Sequence, residues 1–216
     1  MSTLERRTSA TMGEVFAEFW RHPSPYLLGG CLAAAITGRV LAGPGDLGEL
    51  AIPVGLLAVL PVVEWLVHVN ILHWRPRRVA GLTLDPLLAR KHRAHHADPR
   101  AIPLVFIPWQ VQLWLAPAWT ALAWLVTPTP SAMFTLLVSI YAIKSTYEWT
   151  HYLLHSDYRP QSAAYRRIWR HHRLHHFKSE HYWFTVTTAG TADRLFGTAP
   201  DPSTVPTSPT ARNLHG

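Results

Sequence analysis

The sequence predicts an all-α integral membrane protein: four transmembrane helices arranged as two hairpins, with a histidine-rich helical cap on the cytoplasmic side. Three observations predict it. Hydrophobic residues make up 48% of the 216 residues and charged residues only 15%, against roughly 25% charge in soluble domains. Four apolar stretches lie near the roughly 20 residues that cross a bilayer. The basic residues, which give a formal charge of +7, avoid the turns inside each apolar pair and gather between and beyond the pairs. A mean hydropathy of only +0.04 averages these two populations.

Residues 1–24 read as a cytoplasmic N-terminus with an interfacial helix. Thr11-x-x-Glu14 forms a capping box, and Met12, Val15, Phe16, Phe19 and Trp20 share one helical face. An amphipathic helix packed on protein is equally consistent. Arg6 and Arg7 precede no apolar run with a small-residue cleavage site, which excludes a secretory signal. The first hairpin pairs Tyr26–Ala42 with Ala51–Leu72 through Gly43–Leu50, a turn with Asp46 and Glu49 but no Lys or Arg. The second pairs Leu104–Val126 with Ser131–Thr150 through an uncharged Thr-Pro-Thr-Pro turn. Of the 20 basic residues, seven lie between Arg75 and Arg100 and six between Arg159 and Lys178. The positive-inside rule puts both segments, the N-terminus with Arg6, Arg7 and Arg21, and the C-terminus in the cytoplasm. Basic residues at headgroup level favour a membrane surface over nucleic acid. Tryptophans 65, 109, 114, 119, 124, 149, 169 and 183 suit an interface belt and lipid-facing core. A membrane domain thus spans residues 25–198, and the Pro-, Ser- and Thr-rich residues 199–216 form a disordered tail. No internal repeat is evident beyond the paired hairpins. The single cysteine, Cys31, excludes a disulfide framework and any cysteine-based metal site.

Ten of the 14 histidines fall into four clusters: His68 with His73; His92, His95 and His96; His151 with His155; and His172, His175 and His176. All four sit at a predicted cytoplasmic boundary or in the cytoplasmic segments. On a helix, residues four apart differ by about 40°, so His-x-x-His-His aims three imidazoles within about 100° of arc. Asp85 as N-cap and Pro86 at the first helical position start the helix carrying His92. His68 and His73 stand about 140° apart on a regular helix, so a bulge, a helix end or two separate metals is needed to reconcile them. Imidazole suits Zn, Cu, Fe and Ni, and one ion takes at most six ligands. Ten therefore imply two ions, each with four or five imidazoles and a position left for water or oxygen. Structural zinc needs four ligands and no open position. Two redox ions at a membrane surface point to iron and oxygen chemistry on a lipid.

No catalytic side chain beyond the metal centre is required. Glu64, Glu148, Asp98 and Asp157 are candidates to orient the imidazoles, or are ordinary solvated or paired charges. Lys144 is expected to pair with Glu148 at i, i+4, and a lysine in an apolar span is functional by default. His171 is expected to support the ligands and His181 to meet substrate or solvent. His22 and His215 are assigned structural roles.

These residues resemble the fatty acid hydroxylase superfamily, the membrane di-iron group of fatty acid 2-hydroxylases and sterol oxidases or desaturases. The resemblance rests on His68-x4-His73, His92-x-x-His95-His96, His151-Tyr-Leu-Leu-His155 and His172-Arg-Leu-His175-His176-Phe177-Lys178, then Val186-Thr187 and Asp193-Arg-Leu-Phe-Gly-Thr198. It covers about residues 60–198 and is nearest to the fatty acid 2-hydroxylase branch. It departs from that branch at His181 and in lacking a glycine before Val186. The resemblance implies that the ten histidines hold two iron ions, with zinc as a non-native occupant. It also implies an O2-dependent monooxygenase acting on a lipid acyl chain, with electrons from a separate donor protein, since the chain ends are too short for a fused cytochrome-b-type domain. A desaturase or C–H oxidase of the same family is the alternative within the class, and a non-enzymatic metal-binding membrane protein the alternative outside it.

Overall fold

The computed structural model describes residues 9–215; Arg6 and Arg7, expected at the cytoplasmic face, lie outside them. The described residues are helical apart from one small hairpin and the connecting loops. The elements are α1 (Met12–Phe19), α2 (Pro23–Leu41), a 3₁₀ turn (Leu47–Leu50), α3 (Ala51–Val67), a π-helical turn (His68–Leu72), β1 (Arg77–Val79), β2 (Leu82–Leu84), α4 (Leu87–Ala97), α5 (Ile102–Val105), α6 (Trp109–Val126), α7 (Pro130–His155), α8 (Ala163–Phe177) and α9 (Thr191–Leu195).

Helix α1 starts at the expected capping box, with Thr11 and Glu14 each satisfying the other's backbone N–H. It is packed on protein: Val15 and Phe19 join Val105, Phe106, Tyr152 and Leu153 in one apolar cluster. Helices α2, α6 and α7 pack on one another, while α3 packs along α7. The closest approach is α2 on α7, where a Cβ at Gly38 would meet the Phe134 ring at 2.2 Å. Much of α3 and α6 faces outward with apolar side chains, among them Val54, Leu57, Val63, Trp114, Trp124 and Leu125. Apolar area this extensive on two faces is rarely left to water. Two helical stretches among the described residues, Pro23–Leu41 and Leu47–Leu72, are long and apolar enough to cross a bilayer. Helices α6 and α7 carry more polar residues, including Gln110, Gln112, Lys144 and Glu148.

Several polar groups within the helices are paired. Arg39, which interrupts the first apolar run, donates to Thr135 Oγ1 (2.9 Å) and the Gly43 carbonyl (2.7 Å). Thr135 and Ser131 donate in turn to Glu49. Lys144 and Glu148 do not form the expected pair: Lys144 donates to Gln112 (2.6 Å), and Glu148 accepts from buried Ser24 (2.8 Å) and the Ile107 N–H (2.9 Å). Donors and acceptors on α2 and α6 win over the i, i+4 pair, since unpaired buried polar groups are costly.

Three further differences follow from local chemistry. Pro86, not Asp85, stands at the N-cap of α4, and both Asp85 carboxylate oxygens instead accept from Arg93 Nη2 (2.8 and 2.6 Å), making an ion pair. The hairpin β1–β2 turns on Ala80 and Gly81, both at positive φ, as a two-residue turn requires. The tail, expected to be disordered, packs on the rest of the fold: Val205, Ala211 and Leu214 are buried, and residues 208–215 bond to three other segments. A Pro- and Ser-rich segment cannot build its own core, but here it borrows one.

Candidate metal centre

The four histidine clusters meet at one end of the helices. The last turns of α7 present His151 and His155, and the π turn presents His68 and His73. Its i→i+5 closure, with the His73 N–H on the His68 carbonyl at 3.0 Å, places His73 nearly a full turn on rather than 140° round. This is the bulge that the spacing required. Helix α4 packs against the π turn and α8 against the end of α7.

The ten rings form two sets of five whose ligand atoms all lie within 4.8 Å of one another: His68, His73, His92, His96 and His175; and His95, His151, His155, His172 and His176. Each His-x-x-His-His helix serves both sets. Its i and i+4 residues face one set and its i+3 residue the other, because i+3 points about 100° away from i+4. Helix α4 gives two rings to the first set and one to the second, and α8 does the reverse. The sets touch where His96 and His176 lie 4.2 Å apart between centroids.

Nε2 atoms face each other within each set: His68–His92 and His96–His175 at 3.2 Å, His95–His155 at 3.2 Å, His172–His176 at 3.1 Å and His155–His172 at 2.7 Å. Two nitrogens each about 2.0–2.1 Å from one ion stand about 2.9–3.4 Å apart at ordinary coordination angles. The Nδ1 atoms of His68, His96 and His175 donate to the carbonyls of Phe184 (2.5 Å), Ala211 (2.8 Å) and Tyr182 (2.8 Å). That fixes the tautomer, so His96 and His175 point two lone pairs at each other across 3.2 Å. Without a cation between them that contact is repulsive. Nε2 of His73 and of His151 is buried without a partner among the described residues, as expected of atoms awaiting a ligand. Burial, followed by the neighbouring imidazole of His175, pushes His96 down to about 3. Burial likewise holds His92, His95, His172, His175 and His176 well below the usual imidazole range. All present neutral nitrogens, the form that binds metal.

With this geometry, the fatty acid hydroxylase family model matches residues 53–198. The chain belongs to the fatty acid hydroxylase family. It is 29% identical over 154 residues to the dihydroceramide fatty acyl 2-hydroxylase FAH2 of Arabidopsis thaliana, covering 68% of this chain and 62% of that protein. The chain therefore spans less than two thirds of that relative's length. A solved structure described as full-length scs7p, with only the hydroxylase domain visible, shares the fold at a TM-score of 0.66 and 19% identity, over 84% of this chain and 68% of that one.

In this family member the loop from Tyr182 to Thr188 is the frame of the first set. Trp183 takes φ +58, a strained value for a bulky residue, and this bend sends the carbonyls on either side of it to His175 and His68. Asp193, fully buried, holds the loop by accepting from the N–H groups of Phe184 (2.8 Å) and Thr185 (2.9 Å), the hydroxyls of Thr185 and Thr198, and His171 Nε2 (2.9 Å). Burial alone raises its pKa, but those donors outweigh burial and hold its carboxyl well below the usual range. Sequence reasoning placed Asp193 in a motif without giving it a role.

The other expected residues are placed as follows. His171 turns away from both sets and holds Asp193. Glu64 touches no histidine; it accepts from the Thr187 N–H (3.1 Å) and the Thr187 and Thr188 hydroxyls, so it braces the same loop. Glu148 and Lys144 belong to the α2–α6–α7 network already described. Asp98 caps the Arg100 N–H (3.2 Å). The Asp157 carbonyl holds the Ala10 N–H (3.3 Å). His181 is exposed, with Nε2 3.5 Å from Glu180. His22 stacks on Phe106 and meets Glu18, and His215 joins the tail contacts.

Proposed function

We propose that this chain is a membrane-bound lipid hydroxylase, with each set of five histidines holding one iron ion. The observation that carries the reading is the His96–His175 pair, two buried lone pairs facing each other at 3.2 Å, within two sets of five converging imidazoles. Bound there, two iron ions supply O2 activation, so that R–H, O2, two electrons and two protons give R–OH and water. The electrons come from a separate donor protein. The chain's own residues hold ten nitrogens neutral and inward. A cavity of about 620 Å³ lined by His155, His172 and His176 together with Arg100, Arg173 and Tyr158 borders the second set.

The relative named above acts, by its name, on a fatty acyl group, and a lipid-borne acyl chain is the substrate class proposed here. A groove of about 710 Å³ between α3 and α7, lined by Leu50, Leu57, Leu60, Val138 and Ile143, runs to Thr187 in the loop that frames the first set. It matches an acyl chain in chemistry and position. A topology of four spans, α2, α3, α6 and α7, with the histidine end in the cytoplasm, is supported by the basic segments that gather at that end. Ligands at one end of the helices argue against a transporter, which binds near the midplane.

The test compares lipids of cells expressing wild type, His172→Ala and empty vector. Hydroxylated acyl chains from wild type alone support the proposal. Unsaturated products would move the reading to a desaturase. No product beyond the vector control would overturn the enzymatic reading.

A further inference from the structure

The family match ends at residue 198, yet the chain beyond it runs back over the histidine end and bonds there at several points. The Ser208 N–H meets the Lys178 carbonyl (2.8 Å), just after α8. The Ser208 hydroxyl (3.1 Å) and the Thr210 hydroxyl donate to Glu180, a carboxylate with 3% of its surface exposed. The Ala211 carbonyl accepts from His96 Nδ1 (2.8 Å), and Arg212 donates to the Ala97 carbonyl (3.0 Å) at the end of α4. His215 Nε2 meets the His73 carbonyl (3.1 Å), while Arg75 donates to its Nδ1 (3.1 Å). Ala211 and Leu214 are buried beneath.

These attachments share one property. They reach the ends of α4 and α8 and the π turn at His96, His73 and the Glu180–Tyr182 loop that aims His175, which are three ligands of the first set. Among the described residues none of them reaches a ring of the second set. We propose that residues 201–215 are a strap that positions the first metal and leaves the second alone, with Ala211 the positioning residue for His96 and Glu180 its clasp. This rests on the metal-centre reading above. The physical reason is that an imidazole whose Nδ1–H has a fixed acceptor keeps its Nε2 lone pair on the ion, and loss of such an acceptor costs about 10- to 100-fold in metal affinity. A strap needs no core of its own, since the groups it touches are already buried.

The experiment titrates purified full chain, and a chain ending at residue 200, with ferrous iron under anaerobic conditions against a competing chelator. Wild type is expected to bind about two ions tightly. The truncated chain is expected to bind one with wild-type affinity and the other about 10- to 100-fold more weakly. Adding His151→Ala, a second-set change, to the truncation should then leave no tightly held ion. Both ions retained at wild-type affinity, or both weakened equally as general loosening would cause, overturns the strap. Should the truncated chain aggregate, Glu180→Ala and Glu180→Gln decide: Ala weakens one ion and Gln, which still accepts from Ser208 and Thr210, restores it. Identical titrations for those two variants and wild type overturn the proposal. A wild type that binds no iron refutes instead the metal centre itself.

Discussion

Replacing Asp193 by Asn exchanges one carboxylate oxygen for NH2 at a site with no exposed surface. Oδ1 accepts from the Phe184 N–H and the Thr198 hydroxyl, and Oδ2 from the Thr185 N–H and hydroxyl and from His171. Whichever way the amide turns, one backbone N–H faces another donor and is left buried without an acceptor, at about 1–3 kcal/mol. The remaining bonds lose their charge, costing about 1 kcal/mol each for about two of them. The expected loss is about 3–5 kcal/mol. At about 2–4 °C per kcal/mol for a chain of this size, the melting temperature should fall by about 6–20 °C. Thermal unfolding in detergent measures it, and a fall of under about 2 °C would refute the account of the loop. Because the native carboxyl titrates below its unfolded value of about 3.9, its stabilisation is complete above pH 4 and lost as pH falls further. Wild type should therefore lose stability below pH 4 more steeply than Asp193→Asn does.

Other outcomes follow from the same contacts. Gly190→Ala places a Cβ 2.5 Å from the His171 ring at a residue with φ +76, and about 1–2 kcal/mol of backbone strain adds to the displaced His171–Asp193 bond; thermal unfolding should show a loss of at least that size. Gly38→Val drives its side chain into Phe134 and should cost about 1–3 kcal/mol by overpacking α2 on α7, read as a lower detergent melting temperature with unchanged metal content. Glu64→Ala frees Thr187 and Thr188 and should lower hydroxylation more than stability, measured as product per folded protein. Chelator treatment should abolish hydroxylation, with activity returning on ferrous iron and not on zinc, since only the former cycles redox states.

How much of this was legible in the residues can be argued from the histidines. Spacing alone selects i and i+4 as one aimed pair, and all ten clustered rings do converge. The same arithmetic holds, unread, the division of each His-x-x-His-His box between two sets, because the i+3 ring diverges from its neighbours. His68 and His73 needed a departure from regular helix, and the π turn supplies it. The sequence offers no sign of that choice beyond the angle that a straight helix cannot satisfy. Apolar runs and the capping box at Thr11 and Glu14 gave α1, α2 and α3 within a few residues.

What composition misjudged is more instructive. Pairing Lys144 with Glu148 assumed that neighbours on one helix settle their charges locally, whereas Gln112 and Ser24, far away in sequence, are nearer in the fold. Reading residues 199–216 as disordered assumed that a segment must bury its own apolar residues to be ordered. The cost of ordering a short strap falls when the surface it meets is preformed and offers acceptors and donors at fixed positions. Here that surface is built by the histidine-bearing segments, whose ends expose carbonyls at Ala97, Lys178 and His73. The carbonyls that aim His68, His96 and His175 belong to Phe184, Ala211 and Tyr182, and a backbone carbonyl has no residue type. A site whose outer contacts are main-chain atoms is therefore visible in sequence by its ligands and invisible by its supports.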